Sequence, residues 1–111
     1  MSAGGTEVVR IWRATASPNN VPAYLMHFCA NVEPALRELD GFRGAEVLTR
    51  SAGNVVEIVV QTRWSSLAAI SAFAGADLDA AVVDSEATAV LTEYDTVVRH
   101  FTVAYRIPAT T

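Results

Sequence analysis

Val55-Val56-Glu57-Ile58-Val59-Val60-Gln61-Thr62-Arg63-Trp64 is the stretch from which the fold can be read. Val56, Ile58, Val60, Thr62 and Trp64 fall on one face of a pleated strand. Glu57, Gln61 and Arg63 share the other face with Val55 and Val59. The alternation predicts a half-buried strand over Asn54 to Trp64. Phe42 to Arg50 has the same character, and Ser51-Ala52-Gly53-Asn54 between them supplies a short loop. The pair is therefore expected to form an antiparallel hairpin at the centre of the chain.

Upstream, Glu7 to Thr15 is rich in β-branched and aromatic residues and reads as a first strand. A regular pleat puts Arg10 and Arg13 on opposite faces of it. Ser17-Pro18-Asn19-Asn20 breaks the strand, with Ser17 or an asparagine as helix cap. A helix is expected from about Pro22 to Leu39. Tyr24, Phe28, Val32 and Leu36 recur at every fourth position of it, and Leu25, Cys29 and Leu39 flank that stripe. Pro34 predicts a kink or break, and Asp40-Gly41 predicts the end.

Downstream of the hairpin, Ser65 is expected to cap a short helix over Leu67 to Phe73, stopped near Gly75. Asp77 to Leu91 is alanine-rich and reads as helix in one or two pieces. Tyr94 to Ile107 alternates over a long stretch, with Val97, Arg99, Phe101, Val103 and Tyr105 on one side. Val98, His100, Thr102 and Ala104 take the other side, and Pro108 ends the pattern.

The order β-α-β-β-α-β predicts an α+β domain with a ferredoxin-like, antiparallel four-stranded sheet and both helices on one face. Residues 1–6 are expected to be a flexible N-terminus, 7–107 the single domain, and 108–111 a tail. The sheet face away from the helices still carries Val, Ile, Phe and Tyr. A homodimer with two sheets packed together is therefore expected.

The chain has 111 residues, enough for one core. Apolar residues make up 51% and charged residues 18%, below the usual charged share of about 25%. That balance describes a folded chain with apolar surface to cover. A net charge of −4 argues against a nucleic-acid or membrane-surface partner. No apolar run reaches the ~20 residues of a membrane span. The N-terminal residues lack the pattern of a secretory signal, and a lone cysteine makes no internal disulfide, so a cytoplasmic location is expected. Cys29 reads as a buried small hydrophobe.

Few residues carry chemistry. His100 falls on the alternate face from Phe101. If that face meets the helices, an imidazole there could take a phenolic proton. The plainer reading is a buried, hydrogen-bonded histidine. His27 follows Tyr24 by three residues, so the two could line a pocket mouth. The plainer reading of His27 is one polar position on a helix surface. Trp12 and Trp64 could wall a flat substrate or simply pack. Arg10, Arg13 and Arg99 could hold a phenolate or carboxylate, or pair with Glu7, Glu46 and Glu57 across strands. Two histidines without an acidic motif at ligand spacing give no metal site. Ala3-Gly4-Gly5 precedes the first strand, so no glycine-rich nucleotide loop is present, and neither flavin nor nicotinamide is expected.

Several motifs resemble the antibiotic biosynthesis monooxygenase family, whose fold is a dimeric α+β barrel. They are Val9-Arg10-Ile11-Trp12-Arg13, Asp40-Gly41-Phe42-Arg43-Gly44-Ala45, Trp64-Ser65-Ser66-Leu67-Ala68-Ala69-Ile70-Ser71-Ala72-Phe73, and Val98-Arg99-His100-Phe101-Thr102-Val103. The resemblance spans about residues 7 to 105. It implies a cofactor-independent oxygenase of secondary metabolism acting with molecular oxygen on an aromatic polyketide-type phenol. The alternatives are an isomerase or cyclase, or a non-catalytic ligand-binding dimer. His100 is the expected catalytic base, and Trp12, Arg13, Tyr24, His27, Trp64 and Phe73 the expected substrate-binding residues. The haem-degrading branch of the family carries a tryptophan where this chain has Phe73, a histidine near Val83, and an asparagine where Ile11, Trp12 or Arg13 stands. These departures count against haem degradation.

Overall fold

A computed structural model of the chain describes residues 7–110. The expectation of a flexible segment over 1–6 lies outside the described residues. The chain begins in strand β1 (Val8–Ala16). A helical column follows, built from a 3₁₀ turn (Pro18–Asn20), α1 (Val21–His27), a π turn (Phe28–Val32) and α2 (Glu33–Arg37). The hairpin β2 (Phe42–Ala52) and β3 (Val55–Trp64) comes next. Then come α3 (Leu67–Ala74), a single turn α4 (Ser85–Thr88), and two short strands, β4 (Glu93–Tyr94) and β5 (Arg99–Thr102).

The sheet is antiparallel, in the order β2-β3-β1-β4, and β5 also pairs with β1. This is the ferredoxin-like order, with the fourth position filled by two segments. The predicted alternation of β3 holds: Ile58, Val60, Thr62 and Trp64 are buried. On β1 the buried set is Val8, Arg10, Trp12, Ala14 and Ala16.

The helical column explains the spacing of its stripe. Four residues turn a helix face by about 40° beyond a full revolution. A strict four-residue repeat therefore drifts across an ideal α-helix. The π turn at Phe28–Val32 is wider and takes up that drift, so Tyr24 and Leu36 are both buried. It lies just before Pro34, whose ring lacks an N–H and crowds the preceding turn. The expected break is thus a bulge. The outward side of the same turns carries Leu25, Met26 and Cys29, and Cys29 is exposed, not buried.

Two other expectations are corrected. Asp77 to Leu91 is not helical apart from Ser85–Thr88. Its backbone is used elsewhere: Ala81 N–H donates to Thr96 O, Val98 N–H to Asp79 O, and the Arg10 guanidinium to the carbonyls of Leu78 and Ala80. A helix there would withdraw those groups. The final strand is not continuous over 94–107. The segment between β4 and β5 turns aside to bond residues 79–81. Past Thr102, Val103 N–H donates to Glu7 O, just ahead of β1, and Arg106 pairs with the Glu7 carboxylate. The cap of α3 is Ser66 rather than Ser65, its hydroxyl accepting from Ala69 N–H at 3.2 Å. No helix among the described residues is long and apolar enough to cross a membrane.

Gly41 joins the helical column to β2 with φ of 88°. A Cβ at this position would lie 2.6 Å from Ala69 Cβ and 2.7 Å from Ser65 Oγ. Backbone conformation and space both demand glycine. Gly41→Ala is expected to destabilise the fold by about 2 kcal/mol or more, read as a lower urea midpoint. A wild-type midpoint would contradict this close packing of the corner on α3.

Candidate functional site

The sheet register places four residues in one row across the inner face: His100 opposite Arg10, Arg10 opposite Thr62, and Thr62 opposite Ala45. The neighbouring rows are apolar, with Val8, Trp64 and Phe42 on one side and Trp12, Val60 and Val47 on the other. The polar row divides the core into two clusters, one around Trp64, Leu36 and Ile70 and the other around Trp12, Tyr24 and Ile58. Between sheet and helices, at this division, lies a cavity of about 200 Å³.

The cavity walls are ring faces. Trp12 stacks on Tyr24 with centroids 6.1 Å apart, and Tyr24 meets Phe28 at 6.5 Å. Phe73 closes another side beneath Arg10, whose guanidinium carbon is 5.7 Å from the ring centre. Burial, together with nearby Asp84, raises the Tyr24 phenol well above the usual tyrosine range, so it stays protonated. At the mouth, His27 Nε2 is 3.2 Å from Asp84 Oδ1, and His27 Nδ1 is 3.0 Å from Asn31 Nδ2. The Asp84 contact ties the helical column to the cap of α4.

Arg10 is the buried charge of the site, 4% exposed. Its Nη1 donates to Leu78 O at 2.6 Å and to His100 Nε2 at 3.0 Å, and its Nη2 donates to Ala80 O at 2.8 Å. Burial lowers the Arg10 pKa from its ordinary value, against the pull of Asp79. His100 Nδ1 lies 3.4 Å from Asp79 Oδ1. Burial and the adjacent Arg10 charge push the His100 imidazole below its ordinary pKa, opposed by Asp79.

Of the residues expected at a site, Trp12, Tyr24, His27 and Phe73 line the cavity together. Trp64 does not line it. Trp64 is fully buried under Phe42 and Phe73, its indole N–H bonded to Thr62 Oγ1 at 2.7 Å. Arg13 lies on the opposite sheet face, paired with Glu57 at 2.7 Å, as the plainer reading of the arginines had it. His100 sits behind Arg10 rather than on the cavity wall. Arg10, one of the three candidate arginines, also lines the cavity, and Thr62, Phe28, Val60 and Asp84 are among the lining residues that the expected site lacked. Pleat parity was the signal: a strand that turns Trp12 inward also turns Arg10 inward and Arg13 outward.

No family model and no curated protein matches the chain. Solved structures do. A Bacillus cereus protein named as a candidate antibiotic biosynthesis monooxygenase superposes with a TM-score of 0.71 at 17% identity, over 96% of this chain and 100% of that one. The chain has that fold. SnoaB, a cofactor-independent oxygenase from Streptomyces nogalater, superposes at 0.62 with 15% identity, over 94% of this chain and 99% of that one. The heme-degrading protein Rv3592 from Mycobacterium tuberculosis superposes at 0.57 with 21% identity, over 95% and 99%. The fold thus serves proteins with different activities, and the side chains of the cavity must distinguish them.

The depressed His100 pKa has a consequence for stability. Below about pH 6.5 the unfolded chain takes a proton on this residue before the folded chain does. The stability that neutral His100 contributes is therefore full above that pH and declines below it. His100→Gln lacks the titration. The melting temperature of the wild-type protein minus that of this variant is expected to shrink between pH 7 and pH 5. A difference that grows on acidification would contradict the assigned direction.

Proposed function

We propose that the chain is a cofactor-free oxygenase of the antibiotic biosynthesis monooxygenase type, acting on a small aromatic phenol. The observation that carries this reading is the cavity of about 200 Å³, walled by Trp12, Tyr24, Phe28 and Phe73 with one buried cation, Arg10. An apolar cavity of about 150 Å³ accepts benzene. This volume therefore suits one or two fused rings, with the remainder of a larger molecule at the mouth beside His27 and Asp84. The fold shared with SnoaB supports the same chemistry. Phe73 and Val83, where the haem-degrading branch carries a tryptophan and a histidine, both line the cavity and disfavour haem as its guest.

The reaction needs no group beyond substrate and oxygen. The phenol releases its proton to water and becomes an electron-rich anion. One electron passes to O2, giving superoxide and a phenoxyl radical. Their recombination forms a carbon–oxygen bond, the peroxide anion takes back a proton from water, and the hydroperoxide loses water to leave a carbonyl. The balance is phenol plus O2 giving quinone plus water. The protein contributes by excluding solvent, stacking the ring, and stabilising the anion through Arg10.

With a hydroxynaphthalene or anthrone-type phenol, the protein is expected to consume one O2 per quinone formed, followed by an oxygen electrode and quinone absorbance. Val60→Phe fills the cavity from the sheet side and is expected to slow this at least about tenfold while leaving circular dichroism unchanged. Uptake no faster than buffer, with phenols that demonstrably bind, would leave the chain a ligand-binding protein and end the oxygenase reading.

We also propose that the protein works as a homodimer. Leu48, Val97 and Phe101 are exposed apolar residues on or beside the sheet face opposite the helices, and Tyr105 and Ile107 beyond β5 are about four-fifths exposed. An apolar face of this kind favours a second copy. Light scattering is expected to give twice the chain mass, and Phe101→Glu the mass of one chain. A monomeric wild type at micromolar concentration would refute the dimer.

A further inference from the structure

Arg10 is a buried cation, yet among the described residues no carboxylate lies within salt-bridge distance of it. Its partners are two backbone carbonyls and an imidazole. Asp79 stands one residue removed, on the far side of His100. A buried charge is stable when it is paired, and this one faces a cavity. A guanidinium has five N–H donors, and the three bonds described leave two for a ligand.

The geometry also fixes the state of His100. Arginine can only donate, so His100 Nε2 must be the acceptor of the 3.0 Å bond. The ring proton is then on Nδ1, facing Asp79. A doubly protonated ring would set N–H against N–H and lose the hold on Arg10. Asp79, His100 and Arg10 thus form a chain in which the carboxylate orients the imidazole and the imidazole orients the guanidinium. The mouth has the opposite sign, with Asp84 and Glu86 beside His27. A molecule with one anionic end enters this field with that end turned inward.

We propose that the cavity takes its phenol as the phenolate, with the oxygen on the Arg10 guanidinium, and that His100 is the positioning residue that holds the guanidinium there. The proposal rests on the cavity being the binding site named above, and not on any reaction with oxygen. It moves His100 from the role of base to that of support, since the group that meets the substrate oxygen is Arg10. It also gives the site a sign. Burial in an apolar cavity favours a neutral phenol, whereas a desolvated cation at the oxygen favours the anion.

The test uses 4-nitrophenol, whose two ionisation states differ in colour, and 4-nitroanisole as a neutral probe of similar shape. In excess wild-type protein, bound nitrophenol is expected to ionise at lower pH than free nitrophenol, with the phenolate held at least about tenfold more tightly than the phenol. Arg10→Met is expected to abolish that preference, phenolate binding falling at least about tenfold more than nitroanisole binding. His100→Leu is expected to weaken the preference. His100→Gln restores it, because the glutamine oxygen can accept from Arg10; a merely structural His100 would weaken both probes alike and show no rescue. If Arg10→Met does not fold, Arg10→Lys, which keeps the charge, is expected to retain the preference. Ionisation of bound nitrophenol at the same or higher pH overturns the proposal. So does failure of the probes to bind, or a preference that survives Arg10→Met. Nitrophenol binding is read without turnover, so a negative oxygen-uptake result leaves this outcome independent.

Discussion

Placing a guanidinium under the sheet of a small domain is the constraint on which the rest of this structure turns. Arg10 cannot shed its proton, and its burial is tolerated because three acceptors and a ring face surround it. Two of those acceptors are carbonyls of Leu78 and Ala80, so the segment after α3 must stay extended and close. A third comes from His100 on the last strand. One side chain thus ties β1, the 78–80 segment and β5 together. The broken final strand follows from the same arrangement, because residues 79–81 take pairing partners that an unbroken β4–β5 would have given to β1.

The polar row also explains why there is a cavity at all. Apolar side chains in adjacent rows interdigitate and close space efficiently. A row made of a charged, a hydroxyl and an imidazole side chain cannot be covered by helix side chains such as Leu36 and Val32 without stranding donors. The helical column stands off from the sheet there and packs closely on either side, where Tyr24 meets Trp12 and Leu36 joins Trp64 and Ile70. The π turn sits in the stretch that spans the gap, and Phe28 and Val32, at its ends, line the opening.

Much of the architecture was legible because it depends on periodicity. The two-residue alternation of β3, the hairpin and the shared face of Val98 and His100 came directly from the pleat. The site was less legible because it depends on register. Nothing in the sequence sets His100 opposite Arg10; that pairing follows from how far β5 slides along β1. Where parity alone decided, it was misapplied, since Trp12 and Arg13 are neighbours and cannot both face the cavity. The stretch 77–91 misled for a different reason. Its alanines favour helix, but Arg10 and the last strand claim its backbone, and tertiary hydrogen bonding outweighs a propensity of a few tenths of a kcal/mol per residue. Cys29 faces outward with Leu25 and Met26, because five residues on from the buried Tyr24 an α-helix has turned about 140°.

The outer face of the sheet obeys a different logic from the inner one. There the charges pair across strands: Glu57 takes both Arg13 and Arg50, and Glu46 takes Arg63. The two arginine hydrogen bonds hold the Glu57 carboxyl below the usual carboxylate range. These pairs are exposed in the single chain and contribute little there. Covered by a second sheet, they would be desolvated together and would have to match in position as well as in sign. Apolar residues such as Phe101 and Val97 supply attraction without direction, whereas the arginine–glutamate pairs restrict the angles at which two faces can meet. The same residue type therefore does two jobs in one strand: Arg13 belongs to a neutralised pair on the outside, and Arg10, two carbonyls and an imidazole away from any carboxylate, keeps its charge for the inside.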